Sequence, residues 1–458
     1  MIDHLVARYT HIRDEPAWSG ASRAELEAHL SPAPPEAGVG LDTALQHLIE
    51  HVLPFNARID HPRFLAFVPG SPVWPAVMGD LLAAGSNIFQ GTWLGGAGAS
   101  AVELTVIEWF RQWLGLPAST AGLLVSGGSA ANLTAIACAR ARRFPAHDDD
   151  AVIYCSAETH SSVFRAASVL GFAPERVRHI RVDAHDRIDP GHLEASIVED
   201  ARGGLRPFLV VANGGTTSSG AVDPLDTLAD MCARHALWLH VDAAYGGFAV
   251  LTERGKAALE GIGRADSVTL DPHKWLYQTF EAGCLLVRDG ALLDRAFAVM
   301  PPYLQDTAVP EPSPDAPDGA TRLPVNFANR GVQLTRSARA LKIWLSLQAF
   351  GTTAFAAAID ECMDIALYAE QRIRDSGHLE LVAPARLGIV CFVRRAPDAA
   401  GAEAFNATLL RALLDSGTAM ISSTRVQGAF ALRLCVLNYR TTRDDVDAIL
   451  DWIERYGA

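Results

Sequence analysis

The chain has 458 residues, more than one compact core accommodates, so we expect two or three domains. Apolar residues make up 49% and charged residues 20% of the sequence, which is typical of a globular protein and argues against a disordered or membrane-spanning chain. The net charge of −13 argues against nucleic acids and anionic membranes as partners.

The seven cysteines are scattered, odd in number and without the spacing of zinc ligands. We therefore expect reduced thiols and no metal site. The N-terminus lacks the charged and then apolar pattern of a signal peptide. Both features predict a cytoplasmic protein.

The first 85 residues predict a helical segment. Ser22 and Glu25 have the spacing of a capping box that opens a short helix, and Ser31–Pro35 breaks it. Leu41–Leu53 is amphipathic, with apolar residues at helical spacing. These elements are too small to fold alone.

Residues 86–290 show apolar strand-like runs that alternate with helical runs. The predicted strands are Ala151–Cys155, Val177–Val182, Phe208–Ala212, Leu237–Val241 and Ala282–Val287. The predicted helices among them are Ser162–Leu170, Pro190–Val198 and Leu225–His235. This alternation indicates a mainly parallel sheet with helices on both faces.

Two segments in the first half of this region carry candidate site residues. Gly128 and Ser129 open a helix, where backbone N–H groups and a hydroxyl suit a phosphate, although most such turns are only turns. His160 follows one predicted strand and precedes a helix. It is placed either to lie over a planar ring or to serve as an ordinary capping or core residue.

Two further segments supply an acid and an amine. Asp242 ends a buried strand and is followed by small residues, so it either pairs with a protonated ring nitrogen or caps a helix. Lys274 lies between a strand stopped at Asp271-Pro272 and the bulky Trp275. Partial burial lowers the pKa of a lysine and makes its amine nucleophilic towards an aldehyde, whereas a surface lysine would be inert.

A segment rich in proline follows, from 301 to 326. It cannot hold regular structure, and it is either a mobile lid over the active site or a passive linker. Beyond residue 345 the pattern predicts a smaller α+β domain. Its predicted elements are helices at Ser337–Phe350, Phe355–Arg374 and Asp444–Tyr456 and strands at Leu387–Val393 and Leu432–Leu437.

Together these candidates form the set that binds pyridoxal 5'-phosphate. The set consists of a phosphate-binding loop, a histidine that stacks on the ring, an aspartate that pairs with the ring nitrogen and a nucleophilic lysine. The sequence also resembles the pyridoxal-dependent decarboxylase family (group II), which includes aromatic-L-amino-acid, tyrosine and glutamate decarboxylases. His160–Val163, His240–Gly246 and Asp271–Trp275 carry the resemblance, which extends from about His61 to Cys435.

The resemblance implies an α/β fold of the fold-type-I class, with a mainly parallel seven-stranded sheet flanked by helices. It divides the chain into an N-terminal helical segment (1–85) that packs across a homodimer, a large cofactor-binding domain (86–345) that includes the lid, and a small C-terminal α+β domain (346–458). The implied activity is decarboxylation of an L-amino acid to its amine and CO₂.

The resemblance also implies roles for individual residues. Lys274 would form the Schiff base, and Asp242 would keep the ring nitrogen protonated between His160 and Ala244 on the two ring faces. The remaining implied cofactor contacts are Gly128, Ser129, Thr217, Asp271 and His273. The implied substrate pocket is apolar and favours an aromatic or large apolar side chain, with plain core packing as the alternative; its residues are Phe67, Pro69, Phe89 and Trp93.

One position departs from the family. When the segment after the loop is aligned back from Arg336 without gaps, the family's tyrosine, implied to be the general acid, falls on Phe327. A phenylalanine donates no proton, and loss of a general acid typically slows a step by about 10²–10⁴-fold. Some plant relatives with phenylalanine there resemble aldehyde synthases that release CO₂, ammonia and peroxide. A shifted register is the alternative, because Tyr303 is the tyrosine inside the loop.

Two other classes of protein stay open at this point. Aminotransferases and carbon–sulfur lyases of the same fold share the aspartate and the lysine. A non-catalytic binder would require Lys274 to be idle.

Overall fold

A computed structural model describes residues 1–30, 33–68, 70–144, 146, 148–299, 311–312, 321–322, 324–398 and 400–457. Its contacts form two compact units, one of Met1–Ser71 with Glu361–Ala458 and one of Pro72–Asp360. The division into three segments at residues 85 and 345 stays a prediction.

The chain begins with the helices of the first unit: α1 (Ile2–His11), α2 (Arg23–Glu27) and α3 (Leu41–His51). Ser22 and Glu25 form the capping box expected at the start of α2. Neither α1 nor α3 contains a buried residue, although both carry apolar side chains at helical spacing. The helices therefore present apolar surface that the chain itself leaves exposed.

The second unit follows with alternating strands and helices. Its elements are α4 (Trp74–Gly85), α5 (Trp93–Trp113), β1 (Ala121–Val125), α6 (Gly128–Arg143), β2 (Ala151–Ser156), α7 (Ser161–Val169), β3 (Val177–Ile180), α8 (Pro190–Arg202), β4 (Arg206–Asn213), α9 (Leu225–His235), β5 (Trp238–Asp242), α10 (Glu253–Ala258), β6 (Ser267–Leu270), β7 (Gly283–Val287) and α11 (Ala291–Phe297). Asp189 shows why a helix begins where it does: its side chain accepts the first N–H groups of α8, and Pro190 needs no partner for its nitrogen.

The expected seven-stranded sheet is confirmed, in the order β1-β7-β6-β5-β4-β2-β3. Its pairings are parallel from β3 through β6, and β7 is antiparallel to both of its neighbours. Every residue of β2, β5, β6 and β7 is buried, as expected for a sheet covered on both faces. The strand expected to reach Val182 ends at Ile180, because Val182 pairs with Ile188 in a separate bridge.

Short strands β8 (Glu311–Pro312) and β9 (Thr321–Arg322) form an antiparallel pair. The other residues from 300 to 323, which hold Tyr303 and most of the proposed lid, lie outside the described residues. The two helices predicted around residue 350 form one element, α12 (Ala340–Asp375), which is interrupted at Gly351, where φ is 72°.

The remainder of the first unit is the expected α+β structure. It contains β10 (Leu379–Arg386), β11 (Ile389–Arg394), α13 (Ala402–Asp415), β12 (Ser422–Val426), β13 (Ala429–Cys435) and α14 (Arg443–Arg455). The four strands form an antiparallel sheet in the order β10-β11-β13-β12. Within the described ranges, no helix has the length and apolar character needed to cross a bilayer.

All seven cysteines are buried thiols, distributed over both units. Burial raises the pKa of Cys138, Cys155 and Cys232 to about 12.

Candidate active site

The carboxyl ends of β4, β5 and β6 lie side by side in the sheet and deliver polar residues to one edge. A cavity of about 360 Å³ lies at this edge. Its lining brings together all nine predicted cofactor residues: Gly128, Ser129, His160, Thr217, Asp242, Ala244, Asp271, His273 and Lys274. Residues separated by up to about 150 positions in the sequence thus share one site.

Lys274 and Asp271 form an ion pair in this cavity. The Lys274 Nζ lies 3.0 Å from Asp271 Oδ2, and the lysine side chain is 23% exposed whereas that of the aspartate is 2% exposed. Trp275, which is fully buried, stacks on Tyr245 at 5.3 Å between ring centroids. The stack fixes the backbone beside Lys274 and leaves its amine facing the cavity.

His273 lies on the other side of Asp271. Its Nδ1 accepts the Ala282 N–H at 3.1 Å, and its Nε2 lies 3.6 Å from Asp271 Oδ2. Burial lowers the pKa of His273, so the ring is neutral at pH 7 and carries its proton on Nε2.

The start of α6 approaches Ala244, Asp271 and His273 closely because Gly127 and Gly128 have no side chains there. A Cβ added to Gly128 would lie 3.1 Å from both the Ala244 Cβ and Asp271 Oδ2, and one added to Gly127 would lie 3.1 Å from the His273 ring. Ser129 follows in the first turn, and Gly215, at φ 116°, turns the loop that brings Thr217 to the cavity.

Asp242 is held in place on both carboxylate oxygens. Its Oδ2 accepts a 2.7 Å hydrogen bond from Asn132 Nδ2, and its Oδ1 accepts a 3.2 Å bond from the Ala244 N–H. Asn132 in turn belongs to a buried polar network around His240. Burial lowers the pKa of His240 to about 4, so this neighbour of Asp242 is neutral at pH 7.

His160 is both a cap and a cavity residue. Its Nδ1 accepts the Ser162 N–H at 3.2 Å at the start of α7 and lies 2.8 Å from the Ser162 hydroxyl. Partial burial lowers the pKa of His160. The capping interpretation of this residue is therefore correct, and it leaves the Nε2 edge of the ring towards the cavity.

Phe327 does not line this cavity. Its side chain is fully buried, and the Arg336 guanidinium lies 4.6 Å from the ring centroid. Arg336 Nη2 is 2.6 Å from Glu103 Oε1 in an ion pair that is itself almost completely buried. Phe327 thus packs on a buried cation in the single chain.

The four residues predicted for the substrate pocket stay a prediction. Phe89 packs against the start of α5, where Trp93 donates its backbone N–H to Asn326 Oδ1 at 2.8 Å, and neither lines the cavity. Phe67 belongs to the first unit and is 59% exposed with a φ of 54°. Pro69 lies outside the described residues.

Sequence analysis overlooked several residues that line the cavity, notably Asn132, Ser162, Asn213 and Tyr245. Asn132 could have been identified from the sequence, because it is a polar residue within the apolar run at the start of α6. A polar side chain that is buried there needs a hydrogen-bond partner. Ser162 lies in the same motif as His160, and Tyr245 in the same motif as Asp242. Only the histidine and the aspartate of these motifs were predicted to have roles.

The residues present fit pyridoxal phosphate. Gly127 and Gly128 leave a cradle that a Cβ would fill, at the N-terminus of a 16-residue helix where an anion is favoured. Asp242 and Lys274 supply the carboxylate and the amine in the same cavity. Within the described residues, Asp271 Oδ1 is buried without a hydrogen-bond partner, as a site built for a polar ligand permits.

Comparison with known proteins agrees with this fit. The pyridoxal-dependent decarboxylase conserved domain matches residues 25–395. An aromatic-L-amino-acid decarboxylase of Bacillus atrophaeus is 40% identical over 98% of this chain and 92% of its own length, and an L-2,4-diaminobutyrate decarboxylase of Rhizobium meliloti is 35% identical over 92% and 82%.

Among solved structures, Oryza sativa TDC with PLP and tryptamine superposes with a TM-score of 0.91 at 29% identity, over 99% of this chain and 95% of that one. The family match spans most of the sequence, and the shared fold covers nearly all of it. The chain belongs to the pyridoxal-dependent decarboxylase family and is a carboxy-lyase that uses pyridoxal phosphate to decarboxylate an amino acid.

Proposed function

We propose that the protein converts an aromatic or large apolar L-amino acid to its amine and CO₂, with Lys274 as the residue that binds the cofactor aldehyde. The observation that carries this proposal is the meeting of the Lys274 amine, the Asp242 carboxylate and the N-terminus of α6 in one cavity. The relatives named above include a decarboxylase of aromatic amino acids, which supports the substrate class.

Pyridoxal phosphate, when bound, supplies a sink for the electrons released as the bond to the carboxyl group breaks. Residues of the chain would position this cofactor. Lys274 Nζ faces the cavity beside Asp271, which holds the amine near the place where the aldehyde would bind. Asp242, fixed by Asn132 and Ala244, presents a carboxylate that favours a protonated ring nitrogen.

The other predicted residues would bind the rest of the cofactor. Gly128, Ser129 and Thr217, which line the cavity, would present N–H and hydroxyl groups to the phosphate, and His160 and Ala244 would flank the ring. Neutral His273 keeps a proton on Nε2 for the cofactor or for Asp271.

Substrate preference rests on the relatives more than on the cavity. Phe89 and Trp93 lie outside its lining, and a diaminobutyrate decarboxylase is among the similar proteins. We propose the aromatic class because the more similar of the two relatives acts on aromatic amino acids. Phe67, Pro69, Phe89 and Trp93 remain candidates for contacts with the side chain of the substrate.

A second candidate function is oxidative decarboxylation, in which O₂ is the oxidant, water supplies the aldehyde oxygen, and CO₂, ammonia and hydrogen peroxide are released. Phe327 favours it, because the ungapped alignment from Arg336 places this residue, which carries no hydroxyl, at the tyrosine position. Simple decarboxylation is preferred because Phe327 packs on Arg336 and does not line the cavity of the single chain.

A panel of L-amino acids, incubated with the holoenzyme, tests these alternatives. Amine, aldehyde, peroxide, ammonia, ketoacid and CO₂ are measured in the same reactions. We expect amine and CO₂ in equal amounts from an aromatic substrate, with the same products from Phe327→Tyr. Aldehyde with peroxide in the wild type, reverting to amine in Phe327→Tyr, would establish the oxidative route. Ketoacid without CO₂ would contradict both and indicate transamination.

We also propose that two copies of the chain form a homodimer through the N-terminal helical segment. Ile2 and Val6 of α1 and Leu41 and Leu48 of α3 are 47–81% exposed, and apolar faces of this kind are usually covered by a partner. Sedimentation equilibrium is expected to give twice the mass of 49.0 kDa; a monomer at micromolar concentration would contradict the proposal. A cytoplasmic location, a lid at 301–326 and the three segments predicted from the sequence complete the proposal.

A further inference from the structure

Asn132, on the buried face of α6, lies at the centre of a polar network that the proposed roles of the cofactor residues do not use. The residue is 1% exposed and makes hydrogen bonds to four different side chains. They belong to three other elements: Asp242 and His240 of β5, Thr269 of β6 and Ser162 of α7.

The two ends of this network fix the direction of every hydrogen bond in it. A carboxylate oxygen only accepts, so the atom of Asn132 that lies 2.7 Å from Asp242 Oδ2 must be the amide nitrogen. The amide oxygen then accepts from the Thr269 hydroxyl at 2.8 Å and from His240 Nε2 at 3.0 Å.

His240 therefore carries its proton on Nε2, and its Nδ1 accepts from the Ser267 hydroxyl at 2.8 Å. The Ser267 oxygen accepts in turn from the Trp238 Nε1–H at 2.8 Å, a group that only donates. From Trp238 through Ser267, His240 and Asn132 to Asp242, each residue therefore donates a hydrogen bond to the next. His240 is neutral, so it adds no charge to this chain of hydrogen bonds.

The second N–H of the Asn132 amide is linked through Ser162 to His160, which lines the cavity. It donates to Ser162 Oγ at 2.9 Å, which frees the Ser162 hydroxyl hydrogen for His160 Nδ1 at 2.8 Å. His160 Nδ1 is then an acceptor, and its proton lies on Nε2. One amide group thus serves both Asp242 and His160.

We propose that Asn132 is a positioning residue that sets the orientation of the Asp242 carboxylate, and so keeps the cofactor ring nitrogen protonated. The proposal rests on the proposed role of Asp242, since the Ser162 backbone N–H already holds His160 Nδ1 as an acceptor. Without the Asn132 amide, Asp242 Oδ2 loses the one side-chain donor that the described residues give it, and the longer bond from the Ala244 N–H to Oδ1 is left to hold the carboxylate.

The test follows the ring nitrogen directly, with pyridoxal phosphate labelled with ¹⁵N at that atom and observed by NMR over a pH series. In Asn132→Ala we expect the pH at which the nitrogen loses its proton to fall by about one unit, because a carboxylate that is no longer fixed in orientation pairs less well with the protonated nitrogen. Cofactor affinity of the apoprotein, measured by fluorescence titration, is expected to weaken by about 10-fold to 100-fold.

Three matched variants separate the possible causes. Thr134→Ala removes a buried hydroxyl from the same helix. Among the residues described this hydroxyl bonds only to Ala130 O, and both readouts should stay at the wild-type value. Ser162→Ala cuts the branch to His160 alone and should leave the ring-nitrogen transition in place. Asn132→Asp places a second carboxylate against Asp242, so its cofactor affinity should weaken further as the pH rises.

The outcomes are distinct. A nitrogen transition that is unchanged in Asn132→Ala but shifted in Asp242→Ala would overturn the positioning role and leave the proposed function intact. A transition unchanged in Asp242→Ala as well would overturn the proposed role of Asp242. Circular dichroism and thermal melts on each apoprotein show whether a weak affinity reflects an unfolded chain, and a folded Asn132→Ala with wild-type affinity also counts against the proposal.

Discussion

Replacement of Lys274 by alanine is expected to lower kcat by about 10⁴-fold or more, since the residue proposed to bind the cofactor covalently is removed. The change also leaves the Asp271 carboxylate, 2% exposed, without its cation at 3.0 Å. A modest loss of thermal stability should therefore accompany the loss of activity.

Borohydride reduction followed by peptide mass mapping gives a readout that does not depend on turnover. Wild-type protein should carry the reduced cofactor on the peptide that contains Lys274, and the variant should carry none. Lys256→Ala is the matched control, because this lysine is exposed on α10 and pairs only with Glu253 among the residues described, at 2.6 Å. Cofactor trapped on another lysine of the wild type would contradict the assignment of Lys274.

Replacement of Asp242 by alanine is expected to lower kcat by about 10²–10³-fold, the usual effect of removing one preorganised electrostatic contact from a transition state. The physical reason is the ring nitrogen, which loses the carboxylate that stabilises its positive charge. Stopped-flow measurement of CO₂ release gives kcat, and KM should change much less.

A cofactor analogue methylated at the ring nitrogen provides the decisive control for Asp242. Its positive charge is permanent and needs no carboxylate, so it should restore part of the lost activity in Asp242→Ala. The same analogue should not help Lys274→Ala. No rescue in the aspartate variant would mean that Asp242 acts mainly by other contacts.

Where chemistry and topology coincide, the sequence predicted which residues line the cavity. Asp242 ends one buried strand and Lys274 follows the next, and the carboxyl ends of adjacent parallel strands necessarily meet at one edge of a sheet. Gly128 and Ser129 lie at a helix start that follows β1, so they reach the same edge. These four residues could therefore be grouped without coordinates, whereas Thr217, Asp271 and His273 came from the resemblance to the family.

Packing between distant segments could not be predicted in this way. The contact of Phe327 with Arg336 depends on the turn between them, and the buried partner Glu103 lies more than 200 positions earlier. Strands β10 and β12 were missed because both mix polar with apolar residues, so that neither forms an apolar run. The hydrogen bonds of Asn132 could not be predicted because its partners Asp242, His240 and Thr269 lie on strands more than 100 positions later in the sequence.

The burial of all seven thiols has a consequence for the durability of the enzyme. Oxidants attack thiolates, and a cysteine whose pKa is about 12 holds almost no thiolate at neutral pH. Formation of sulfenic acid, the reversible step that precedes irreversible oxidation, is thus disfavoured at Cys138, Cys155 and Cys232 by both ionisation and access. We therefore expect the enzyme to tolerate aerobic handling without added reductant.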